Sequence, residues 1–123
     1  MLKVLIADDD SLTLAVMNAF FVQKNFTVKS ASDGSEAIQI LATDSYDLVI
    51  SDVNMTPMDG ITLLKTLRDG GNNIPFIIIT GHPNMDDYIG TVQKLGAFEY
   101  IQKPVELDAL YMMIKRLTGR NDI

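Results

Sequence analysis

The chain has 123 residues, 47% hydrophobic and 21% charged, with a formal net charge of −6 and no cysteine. That length builds one hydrophobic core rather than two, and the composition is that of a globular rather than a disordered chain. Disulfides and thiolate metal sites are excluded, no apolar run approaches the ~20 residues that span a bilayer, and an acidic chain opposes direct nucleic-acid contact. The first six residues start as a signal peptide does, but Asp8, Asp9 and Asp10 cut the apolar stretch short. A cytoplasmic protein without a membrane segment is the expectation.

Along the chain, two hydrophobic periods alternate. Residues 4–7 form a first continuous apolar run, expected as a buried strand. Leu12, Ala15, Val16, Ala19 and Phe20 then fall at the spacing of one helix face. Residues 27–30 are a weaker strand, and Asp33 with Glu36 resembles a capping box opening a helix around Ala37, Ile38 and Leu41. Residues 48–50 form a second strong strand, followed by a helix around Leu63, Leu64 and Leu67. Residues 76–79 form a third strong run. Beyond it, Asn84 ahead of Asp86 and Asp87 caps a fourth helix, roughly 85–95, weakened by Gly90 in its middle. Residues 98–101 are the last strand, and Leu107, Leu110, Tyr111, Ile114 and Leu117 mark one face of the last helix. Five strands alternating with five helices imply an α/β fold with a parallel sheet covered on both faces.

In such a sheet the ligand site lies beyond the carboxyl ends of the strands. Those ends carry Asp8, Asp9 and Asp10, then Ser51 and Asp52, then Thr80 and Gly81, then Lys103 and Pro104. Carboxylates from separate strands repel one another unless a cation joins them. Oxygen ligands without His or Cys nearby point to Mg²⁺. A carboxylate also serves as a nucleophile that forms an acyl phosphate, with metal and lysine neutralising the transferred group. Asp10, just before Ser11 and Leu12, is expected as a helix cap rather than a site residue. Met55 and Met58 are expected to pack.

Over nearly its whole length the chain resembles the receiver domain of two-component response regulators, a CheY-like superfamily. The matching segments are residues 4–10, 47–52, 58–60, 79–81 and 96–104. The resemblance implies a flavodoxin-like, doubly wound five-stranded parallel sheet of order 2-1-3-4-5 with five helices. It implies Asp52 as phosphoacceptor, Asp9 as a direct Mg²⁺ ligand, Asp8 as one acting largely through water, and a backbone carbonyl of Asn54 toward the metal. It implies Thr80 and Lys103 as the groups that bind the phosphoryl oxygens, and Tyr100 as the aromatic switch. Where the family usually has proline, four residues after the phosphoacceptor, this chain has Thr56, with Pro57 next.

The expected function is a signalling switch rather than a turnover enzyme. The phosphoryl donor would be a phosphohistidine on a sensor histidine kinase or phosphotransfer protein. Output would pass through the surface of the fourth helix, fifth strand and fifth helix to a downstream protein or a fused output domain. Residues 1–118 are expected to be the receiver domain and 119–123 a tail or the start of a linker. His82, two residues beyond Thr80, is expected either as a solvated loop residue or as an influence on how fast water reaches the acyl phosphate. The alternative within the same fold is a degenerate receiver that binds partners without phosphorylation. A haloacid-dehalogenase-like phosphatase would place its nucleophile after the first strand and carry a cap. A flavodoxin-like carrier or nucleotide binder is disfavoured by the absence of a Gly-rich phosphate loop.

Overall fold

A computed structural model describes residues 2–81 and 98–120. The strands are β1 (Lys3–Ala7), β2 (Thr27–Ala31), β3 (Leu48–Asp52), β4 (Phe76–Thr80) and β5 (Phe98–Gln102). The described helices are α1 (Ser11–Gln23), α2 (Gly34–Thr43), α3 (Gly60–Asp69) and α4 (Leu107–Thr118). The sheet is parallel throughout, in the order β2-β1-β3-β4-β5. The helix expected around 85–95, its Asn84 cap and His82 lie outside the described residues.

Strand pleating divides the core in two, because successive side chains leave opposite faces of the sheet. Leu5, Ala7, Val49, Phe76 and Ile78 pack with Ala37, Leu63, Leu64 and Leu67 under α2 and α3. Val4, Ile6, Leu48, Ile50, Ile77 and Ile79 pack with Met17, Phe21, Leu110 and Ile114 under α1 and α4. Strands buried on both faces need no polar alternation, which is why their sequences read as unbroken apolar runs. Met55 is buried and Met58 packs partly against the first cluster, as expected of packing residues.

Helix α1 corrects one expectation. Its inward residues are Met17 and Phe21, whereas Leu12 is 70% and Val16 49% exposed, and Ala15 and Ala19 also face solvent. The helix is apolar nearly all round, so periodicity alone selects no face. Helix α2 begins as expected, with the Asp33 carboxylate accepting from the Glu36 amide at 2.9 Å. Glu36, however, reaches back to the Ser32 hydroxyl at 2.8 Å rather than closing a full capping box on Asp33.

At the amino ends of the strands, Lys3 joins several elements. Its backbone N–H donates to Asp47 Oδ2 at 2.8 Å, its ammonium pairs with Asp44, and that ammonium sits 4.6 Å from the Tyr46 ring centroid. The Lys3 carbonyl in turn accepts the Asp47 N–H at 2.8 Å.

Candidate functional site

The carboxyl ends of four strands converge as the topology requires. Asp8, just past β1, is 1% exposed, and its neighbour Asp9 is exposed. Asp8 is held at both ends. Its N–H donates to the Ala31 carbonyl at 3.0 Å, and its Oδ1 accepts the Asp10 N–H at 2.9 Å. Asp10 is the cap of α1, accepting from the Leu12 N–H at 3.1 Å and the Thr13 hydroxyl at 2.7 Å. These two donors, the hydroxyl foremost, hold its carboxyl below the usual carboxylate range.

Asp52 closes β3 and is 3% exposed. Its Oδ2 lies 3.0 Å from Lys103 Nζ, and its Oδ1 accepts the Asn54 N–H at 3.3 Å. Oxygens of Asp8, Asp9 and Asp52 all fall within 4.8 Å of one another. Burial pushes the Asp8 carboxyl up from its ordinary value, and the neighbouring charges of Asp52 and Asp9 add to the rise. For Lys103, partial burial works against the charged form, but the bond to Asp52 and the fields of Asp52 and Asp8 prevail and raise it. Three convergent carboxylates with hard oxygen donors and no nitrogen or sulfur ligand among them suit a divalent cation such as Mg²⁺.

Thr80, the last residue of β4, is fully buried, and its carbonyl accepts the Lys103 N–H at 2.7 Å. This bond fixes the start of the loop that carries the lysine. Tyr100 stands beside Ile78 in the β4–β5 register and is 39% exposed. Asn54 is exposed in the loop that follows Asp52. All seven sequence-predicted residues therefore sit on this rim or on β5 next to it.

Two glycines matter through their shape, Gly60 within the matched segment 58–60 and Gly34, which the sequence reading passes over. Gly60 opens α3 with its N–H on the Val53 carbonyl at 3.1 Å, and a Cβ there would lie 2.9 Å from Ser51 Oγ and closer still to the Asp52 carbonyl oxygen. Gly34 opens α2 with its N–H on the Met58 carbonyl at 3.1 Å. The available signal was a poor helix former at the first position of two helices, each directly after an aspartate cap.

Comparison with known proteins agrees with this geometry. The transcriptional regulatory protein GlrR of Escherichia coli (strain K12) is 34% identical over 110 residues, covering 89% of this chain and 24% of that protein. The DNA-binding transcriptional regulator NtrC of the same strain is 32% identical over 111 residues, covering 90% of this chain and 24% of its own length. The chain thus spans about a quarter of these curated relatives. Among solved structures, the receiver domain of the Francisella response regulator 1452 superposes with a TM-score of 0.89 at 33% identity, covering 99% of this chain and 100% of that one. A two-component response regulator from Clostridium difficile gives 0.89 at 28% identity, with both chains fully covered. Residues 4–115 match the family described as the response regulator receiver domain, and on that match the chain belongs to this family.

Proposed function

We propose that the domain is a phosphorylatable switch in which Asp52 accepts a phosphoryl group from the phosphohistidine of a sensor histidine kinase or phosphotransfer protein. The observation that carries this reading is the buried Asp52, paired with Lys103 at 3.0 Å and clustered with Asp8 and Asp9. An Asp52 oxygen attacks phosphorus, an O–P bond forms, the donor's N–P bond breaks, and the electron pair returns to the imidazole nitrogen. Lys103 and the Thr80 hydroxyl then hold the phosphoryl oxygens, and water later hydrolyses the acyl phosphate. Mg²⁺ held by Asp8, Asp9, Asp52 and the Asn54 carbonyl would supply positive charge against the carboxylates and the transferred group.

Phosphoaccepting signalling is typical of this family, whose members are not turnover enzymes in the usual sense. Tyr100 is the ring expected to turn inward as Thr80 moves toward the phosphate. The change would spread to the face of β5 and α4, together with the helix the sequence predicts around 85–95, and from there to a downstream protein or a fused output domain. No helix among the described residues is long and apolar enough to cross a membrane. A cytoplasmic location fits the cysteine-free composition, and the receiver unit reads as 1–118, with 119–123 as a tail or linker start.

The exposed Leu12 and Val16 on α1 share a groove with Pro104, Leu107 and Lys103. An apolar face adjoining the phosphoacceptor suits docking of a protein donor. The complete set of reactive groups disfavours the degenerate, phosphorylation-independent alternative. Intact mass after incubation with acetyl phosphate and Mg²⁺ tests the proposal. A single phosphoryl adduct that requires Mg²⁺ and disappears in Asp52→Asn is expected; well-folded protein that stays unmodified would return the degenerate reading.

A further inference from the structure

The connection from β2 to α2 touches both halves of the acidic rim. The Ala31 carbonyl accepts the Asp8 N–H at 3.0 Å, and three residues later the Gly34 N–H donates to the Met58 carbonyl at 3.1 Å. Asp8 heads the loop after β1; Met58 lies in the loop after β3, which leaves the strand at Asp52 and carries Asn54. Few residues therefore set one loop against the other. The loop after β3 is fixed near its root, where Val53 N–H donates to the Ile79 carbonyl at 3.0 Å and Gly60 N–H to the Val53 carbonyl at 3.1 Å. Between these anchors and Gly34 lie residues 54–58, and the Asn54 N–H in that part donates to Asp52 Oδ1.

Gly34 allows close approach because it has no side chain. A Cβ there would lie 2.7 Å from Met58 Cγ and 2.9 Å from both Met58 Cβ and the Met58 carbonyl oxygen. The Cγ can swing aside. The carbonyl oxygen cannot move without carrying the loop with it. Mg²⁺ tolerates little error in ligand placement, with metal–oxygen distances of about 2.0–2.1 Å in a near-octahedral shell.

We propose that Gly34 is a positioning residue for the metal site, holding the loop of Asp52 and Asn54 in register with that of Asp8 and Asp9 through the Met58 carbonyl. The inference rests on reading those aspartates as the Mg²⁺ site. Wild type, Gly34→Ala and Asp33→Ala are compared by calorimetric Mg²⁺ titration and by thermal unfolding in chelator. Asp33→Ala removes the cap of the same helix without adding an atom against Met58. Gly34→Ala should raise the Mg²⁺ Kd by roughly tenfold, the scale on which partners that orient metal ligands act. Asp33→Ala should lower Tm while leaving Kd within about twofold. Gly34→Ala binding Mg²⁺ like wild type, or a Kd that merely follows Tm in both variants, would overturn the inference. A wild type that binds no Mg²⁺ would instead overturn the metal reading beneath it. Should Gly34→Ala not fold, hydrogen exchange in wild type decides. The Gly34 amide should exchange at least about threefold more slowly at saturating Mg²⁺, and unchanged exchange would reject the role.

Discussion

Lys103 Nζ lies 3.0 Å from Asp52 Oδ2 although the two residues are 51 positions apart. The carboxylate is buried and the ammonium partly in solvent, so the lysine compensates the Asp52 charge in the resting domain. A charge-assisted hydrogen bond of this kind is worth about 1.5–3 kcal/mol. Lys103→Met should therefore slow phosphorylation by acetyl phosphate by roughly 10- to 100-fold, with the fold retained by circular dichroism. Because the Lys103 pKa is raised above the ordinary 10.5, its contribution to stability is present below that value and fades only at more alkaline pH.

Asp8 has the opposite sign. Its carboxyl is raised above the ordinary 3.8, first by burial and then by Asp52 and Asp9, so the native state holds its proton more tightly than the unfolded chain does. Ionised Asp8 therefore costs stability at neutral pH, and the cost disappears as pH falls below the ordinary value. In chelator at pH 7, Asp8→Asn should raise Tm by about 2–6 °C, and the gain should shrink as pH approaches 4. Saturating Mg²⁺ should stabilise wild type more than the variant. A variant no more stable than wild type in chelator would contradict this account of the acidic cluster.

Gly60 leaves no room for a methyl group between itself, Ser51 Oγ and the Asp52 carbonyl. Backbone lies on both sides of that contact, so relief requires displacing the end of β3. Gly60→Ala should cost about 1–3 kcal/mol in urea unfolding, as overpacked sites do. It should also slow the phosphorylation proposed for Asp52, because the displaced strand end carries that residue.

The docking role proposed for Leu12 and Val16 predicts different behaviour with protein and small donors. A Leu12→Asp, Val16→Asp double variant should weaken phosphotransfer from a phosphohistidine protein by at least about tenfold, as loss of a desolvated interface core does. Its rate with acetyl phosphate should stay within about twofold, since neither side chain hydrogen-bonds Asp52. Equal losses with both donors would place these residues in folding rather than docking.

Much of this architecture is legible in the sequence for one physical reason. Central strands of a parallel sheet are buried twice, so residues 48–50 and 76–79 carry no polar interruption until the sheet ends, and the residues that follow form the polar rim. The reactive groups thus mark their own location. Helix α1 obeys no such rule. With Leu12, Leu14, Val16, Met17, Phe20, Phe21 and Val22 all apolar, several faces satisfy the helical period, and packing against Phe26 and the sheet selects Met17 and Phe21. The close approaches of Gly34 to Met58 and Gly60 to Asp52 are likewise invisible in pattern. They join residues by shape, and a missing side chain has no period. Glu36 shows a third limit, since its spacing from Asp33 reads as a capping box while the backbone path turns its carboxylate to Ser32.

The interactions around Lys3 give the domain two ends of different character. At one end, Asp44, Tyr46 and Asp47 are joined to the first strand by groups the chain itself supplies. At the other, Asp8, Asp9 and Asp52 crowd like charges that invite something from outside. Residues that far apart and without shared partners contribute independently. The foundation therefore bears no penalty when the mouth changes its charge, so the phosphorylation proposed for Asp52 would leave the opposite end of the sheet as firm as before.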